Sequence, residues 1–248
     1  MKTALIITTI VCDAIRIRRS ILESDYDMTI CCDGGLDRAM ELGIKPTILL
    51  GDFDSAEHFA ISEYSDYTVQ GSSDSDNDFD AQTPDDVNSN TSTDDEAELV
   101  VLPQEKDATD TEAAVDLAYN RGARVITIVG GLGGRLDHTL ANLGVLAKYL
   151  GQADIFIIDG DNFVRMLAPG SHMIVSAGYD YLGLMPFGGP VTGLTLRNVK
   201  YPLDNCDIDG MSSLTTSNEI TEDPARISFE SGKLLIIQSN DIIRKTAI

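Results

Sequence analysis

Ile48-Leu49-Leu50-Gly51-Asp52-Phe53-Asp54-Ser55 runs from an apolar stretch through a glycine into two aspartates. The aliphatic run after Pro46 and Thr47 reads as the end of a buried strand. A second acidic cluster, Lys106-Asp107-Ala108-Thr109-Asp110-Thr111-Glu112, follows the strand-like Leu99-Val100-Val101-Leu102 and opens a helical pattern. Carboxylates therefore gather at the C-terminal ends of strands. In an open parallel α/β sheet that edge is the ligand crevice, because helix N-termini line its loops. Crowded carboxylates repel one another unless a cation lies between them, and an all-oxygen donor set suits Mg²⁺ held partly by substrate phosphates. The pattern predicts a Mg²⁺-dependent phosphoryl-type transfer site. The competing interpretation is that the aspartates are solvated turns and charges at a helix start. Their shared placement, each beside an apolar strand, favours the site.

The 248 residues, 43% of them hydrophobic, can bury a sizeable core as one large domain or two modest ones. A net charge of −22 argues against a nucleic-acid partner, which calls for a basic face. Cys12, Cys31, Cys32 and Cys206 have no C-x-x-C spacing, so neither a disulfide framework nor a zinc site is expected, and reduced thiols point to a cytoplasmic protein. The apolar start, Met1 to Val11, is too short and Thr-interrupted for a signal peptide and reads as a first strand. No apolar stretch approaches the roughly 20 residues that span a bilayer, so no membrane partner is expected.

Met28 to Cys32 reads as a strand ended by Asp33-Gly34-Gly35 and followed by a helix over Leu36 to Leu42 that Gly43 stops. Two glycines at a strand-to-helix turn let backbone N–H groups approach a ligand closely, and they are equally what a tight turn needs. The Thr111–Tyr119 helix leads to a strand over Arg124–Val129, then to Gly130-Gly131-Leu132-Gly133-Gly134-Arg135-Leu136-Asp137-His138 and a further helix through Asn142 to Tyr149. Leu136 spoils G-x-G-x-x-G, and G-x-x-x-x-G-K-[ST] is absent, so the loop is neither a dinucleotide fingerprint nor a P-loop. Arg135 could still brace phosphate. Ile155–Ile158 reads as the last strand of this layer. Beyond it, short strands separated by Pro-Gly and Phe-Gly-Gly-Pro turns predict an all-β unit. The expected fold is α/β: a three-layer Rossmann-like parallel-sheet domain over 1–162, then an all-β sandwich domain over 163–248. Between about 71 and 98 an Asp-, Ser- and Asn-rich insertion has too little apolar surface to offset its ordering entropy, which predicts disorder.

Together, Asp33-Gly34-Gly35, Gly51-Asp52-Phe53-Asp54-Ser55, Lys106 to Glu112, Gly130 to His138 and Thr216-Ser217-Asn218-Glu219 resemble the thiamine pyrophosphokinase family, in family order and over most of the chain outside the acidic insertion. The resemblance implies a homodimer whose sites use both subunits, and transfer of a pyrophosphoryl group from ATP to thiamine, with Mg²⁺, to give thiamine diphosphate and AMP. It implies Asp52, Asp54 and Asp110 as metal ligands. Asp107, Thr109, Asp33, Gly34, Gly35 and His138 would lie on the nucleotide side, and Arg135 and Asp137 where triphosphate meets substrate. Asn142, Ser217 and Asn218 would contact thiamine. The chain has no Trp, so any aromatic cover over thiamine must be Tyr or Phe. Alternatives are a Mg²⁺-dependent pyrophosphokinase or phosphotransferase for another small alcohol, or a metal-buffering or interaction protein working through its acidic segment.

Overall fold

The computed structural model describes residues 1–9, 17, 25–32, 34–52, 97–103, 107–210 and 212–241. Asp33, Asp54, Lys106 and the acidic stretch as far as residue 96 lie outside them.

Among the described residues, six parallel strands form the first half: β1 (Lys2–Ile7), β2 (Met28–Cys32), β3 (Ile48–Gly51), β4 (Glu98–Val101), β5 (Ala123–Val129) and β6 (Asp154–Ile158). Their spatial order is β4-β3-β2-β1-β5-β6. Successive residues of β1 serve opposite faces, as a strand buried on both sides requires. Leu5 and Ile7 join Leu36, Ala39 and Leu42 of helix α1 (Gly35–Leu42), whereas Ala4 and Ile6 join the other layer. There they meet Ala114, Val115 and Ala118 of α2 (Asp110–Asn120) and Val145 and Leu146 of α3 (Leu136–Lys148). Helices on both faces make the expected three layers. Gly43, left-handed at φ 70°, closes α1 by donating its N–H to Ala39 and Met40 carbonyls.

Ile158 does not end this layer. β7 (Asn162–Leu167) pairs antiparallel with β6, β13 (Leu234–Ser239) pairs with β7, and β9 (Tyr181–Pro186) pairs with β13, giving a nine-stranded mixed sheet. The reason is visible in Leu234-Leu235-Ile236-Ile237. Leu234 and Ile236 face the sandwich core, while Leu235 and Ile237 pack toward the helix layer. A second, four-stranded antiparallel sheet covers the sandwich face, in the order β11 (Leu203–Ile208), β10 (Val191–Arg197), β12 (Ala225–Phe229), β8 (Gly170–Ile174). Leu194, Leu196, Ile227 and Phe229 from this sheet meet Leu182, Leu184 and Ile236 from the large one. The α/β unit and the β-sandwich thus share a sheet.

Candidate active site

β1 and β5 are neighbours in space from which the chain winds outward in opposite directions. At such a switch point the loops beyond the two strand ends diverge and leave a crevice. A cavity of about 390 Å³ opens there, lined by Thr8, Thr9, Cys32, Thr109, Asp110, Thr111, Gly131, Gly133, Arg135, His138 and Asn142.

Thr109 caps α2: its Oγ1 accepts the Glu112 N–H at 3.2 Å. Asp110, the first helical residue, is held over the end of β2, where its carbonyl accepts the Cys32 thiol at 3.7 Å. On the far side of the switch point Gly130, Gly131, Gly133 and Gly134 all take positive φ, at 81°, 83°, 92° and 63°. A side chain would be strained at each. Asn142, 4% exposed, donates its Nδ2 to the Gly131 carbonyl at 2.8 Å, and Thr139 Oγ1 bonds the Gly133 backbone. The loop is thus tied to α3, whose first turn is open: Arg135 precedes it with no side-chain cap. The Arg135 and Asp137 side chains, 73% and 63% exposed, pair through Nη2 and Oδ2 at 2.5 Å. The hydrogen bond from Arg135 holds the Asp137 carboxyl below the usual carboxylate range.

Of the residues named from sequence, Thr109, Asp110, Arg135, His138 and Asn142 border this cavity. Asn142 does so with its amide nitrogen already given to the glycine loop. Asp52 follows β3 at the same sheet edge, where Gly51 accepts the Leu102 N–H at 2.8 Å. Asp137 lies one residue from the lining, and Asp107 precedes α2, exposed. Asp33 and Asp54 lie outside the described residues. Gly34 and Gly35 are not in the lining; a Cβ on Gly35 would lie 2.2 Å from the Ile7 carbonyl oxygen, so this glycine lets α1 pack on β1. Among the described residues no three His, Cys, Asp or Glu side chains gather closely enough to hold a metal ion.

Ser217 and Asn218 are elsewhere. Asn218 exchanges backbone hydrogen bonds with Leu182 of β9, the outer strand of the large sheet. At about 4.8 Å per strand, that edge is roughly 25 Å from the switch point within one chain. Asn218 is 2% exposed, and its side chain is engaged: Oδ1 accepts the Tyr201 and Glu219 N–H groups and Nδ2 donates to the Tyr201 carbonyl, each at 2.9 Å. Ser217 at φ 55° and Tyr201, 57% exposed, are the side chains this clamp presents. Thr8, Thr9, Cys32 and Thr111 are lining residues that the sequence reading omits. The end of β1 carries no motif, and only its place beside β5 marks it.

Fold and cavity together define an α/β unit with an open crevice at the carboxyl edge of its parallel strands, joined to a β-sandwich. The chain matches the catalytic domain of thiamin pyrophosphokinase over residues 20–83 and 78–157 and the vitamin B1 binding domain over 171–234. It belongs to the thiamine pyrophosphokinase family and is a transferase of that kind. It is 31% identical to thiamine pyrophosphokinase of Bacillus subtilis strain 168 over 88% of this chain and 89% of the relative. The crystal structure of thiamine pyrophosphokinase from Bacillus subtilis superposes with a TM-score of 0.75 at 26% identity, covering 97% of this chain and all of that one. That of thiamin pyrophosphokinase from Geobacillus thermodenitrificans gives 0.71 at 28% identity, covering 98% and 99%.

Proposed function

We propose that the enzyme transfers the pyrophosphoryl group of ATP to the hydroxyl of thiamine, releasing thiamine diphosphate and AMP. The observation that carries this reading is one cavity bordered by the start of α2, with Asp110, and by the glycine loop with Arg135. The thiamine oxygen attacks the β-phosphorus, the bond from that phosphorus to the α,β-bridging oxygen breaks, and the hydroxyl proton leaves to solvent. Thr109, Thr111 and the start of α2 bind phosphate oxygens. Arg135 turns from Asp137 to the triphosphate, and the Asp137 carboxylate released by that turn accepts a hydrogen bond from the thiamine hydroxyl. His138 contacts the nucleotide. Positioning and charge neutralisation carry most of such a transfer, and no strong base is required.

The donors fit Mg²⁺. Asp110 and Asp52 are the described residues that would offer carboxylate oxygen, and Mg²⁺ characteristically takes one or two carboxylates plus phosphates and water. When bound, it neutralises charge developing on the phosphates. The distance between the cavity and the Ser217 segment supports a homodimer in which a second copy brings its β-sandwich to the site. There Tyr201 is the aromatic side chain offered to the thiamine cation. Buried thiols at Cys31 and Cys32, neither in a disulfide, suit a cytoplasmic setting, and among the described residues no helix is long and apolar enough to cross a membrane.

Incubation with ATP, thiamine and Mg²⁺ is expected to yield AMP and thiamine diphosphate by ³¹P NMR, and EDTA to stop it. Asp110→Ala should lower kcat by about 100-fold or more with the fold retained. Production of ADP, or near-normal turnover in the Asp110 variant, contradicts the assignment.

A further inference from the structure

Away from the cavity, four polar side chains join α2 to α3. Lys148 Nζ donates to Glu112 Oε1 at 2.9 Å and to Asp116 Oδ1 and Oδ2 at 3.0 and 3.1 Å. The Tyr149 hydroxyl donates to the same Asp116 Oδ1. Desolvation and then the Asp116 hydrogen bond push the Tyr149 phenol above its ordinary range, so the phenol stays a donor. Behind it the Tyr149 ring packs 4.9 Å from that of Tyr119, and the Arg124 guanidinium lies 4.1 Å over Tyr119. None of these residues borders the cavity.

Each helix carries a different part of the site. α2 begins with Asp110 and packs on β1, β2, β3 and β5; α3 begins behind Arg135, holds Asn142 and packs toward β7. Apolar contact between two helices tolerates small sliding, whereas charge-assisted hydrogen bonds are directional. Lys148 remains 45% exposed, so its ion pairs add little to stability.

We infer that Lys148, Asp116, Glu112 and Tyr149 form a positioning lock that sets the separation of Asp110 from Arg135, the two groups that meet one triphosphate. The inference rests on the assignment of that cavity to ATP. A misplacement of about 1 Å can cost a hundredfold in rate, so a partial loosening is expected to cost on the order of tenfold in kcat/KM for ATP.

The test compares Lys148→Met, Lys148→Arg and Asp116→Asn with the unaltered chain. Thermal unfolding, the ATP dissociation constant by calorimetry, and kcat and KM for each substrate are measured. Lys148→Met and Asp116→Asn should weaken ATP binding and lower kcat/KM for ATP about tenfold. KM for thiamine should change less than KM for ATP, since Asp137 is the thiamine contact proposed on α3, and Lys148→Arg should restore most of the loss. Unchanged ATP parameters in both loosening variants would overturn the lock. So would a parallel loss toward both substrates that tracks a lowered Tm and is not rescued by arginine. If the unaltered chain forms no AMP, the functional assignment itself fails, and the ATP dissociation constants still decide whether the lock exists.

Discussion

Asn218 is a buried residue whose side chain is engaged by neighbouring backbone. Its side chain spends its amide on the backbone around Tyr201, so the group it offers outward is the tyrosine ring. Aromatic faces attract cations, and Lys200 Nζ already lies 5.5 Å from this ring. Tyr201→Ala is expected to raise KM for thiamine about tenfold, equivalent to about 1.4 kcal/mol, as for a desolvated ring–cation contact. KM for ATP should not move, and Tyr201→Phe should behave like the unaltered chain. Steady-state kinetics with each substrate varied separately checks this. That Asp110 and Arg135 border the cavity was legible at this scale because an acidic helix start and an arginine after a glycine run are local patterns. Thr8 and Thr9 were not, since nothing in Ile7-Thr8-Thr9 differs from any strand end until β5 is placed beside it.

Among the elements, β13 joins the two layers of the molecule. Leu234-Leu235-Ile236-Ile237 lacks the alternation of a strand with one solvated face, and a continuous apolar run is the mark of burial on both sides. Ile236 is fully buried in the sandwich core, and its backbone pairs with Arg165 on one side and Leu184 on the other. Ile236→Ala is expected to cost about 2–5 kcal/mol, read from the urea midpoint. A cost below about 1 kcal/mol would mean the strand is not the shared core described above. β11 is the opposite case. Leu203-Asp204-Asn205-Cys206-Asp207-Ile208 is an edge strand with little burial, so pairing rather than an apolar pattern makes it a strand.

For the whole molecule, the continuous sheet means that a cut after residue 162 would fall within β7 and part most of that strand from β6, where Ile157 pairs with Val164. One cooperative unfolding transition is therefore expected, with far-ultraviolet circular dichroism and tyrosine fluorescence coincident in urea; two separated transitions would contradict it. Sequence alone determined the alternation of strands and helices, the glycine loop, the acidic clusters and the family, because each is written in neighbouring residues whose spacing matches a helical or strand period. Tertiary structure alone decided that β7, β13 and β9 extend the parallel sheet, that the cavity opens between β1 and β5, and that Ser217 lies far from it in one chain. Those facts depend on which strands become neighbours. That choice is made by burying both faces of a sheet at once, a condition on residues distant in sequence.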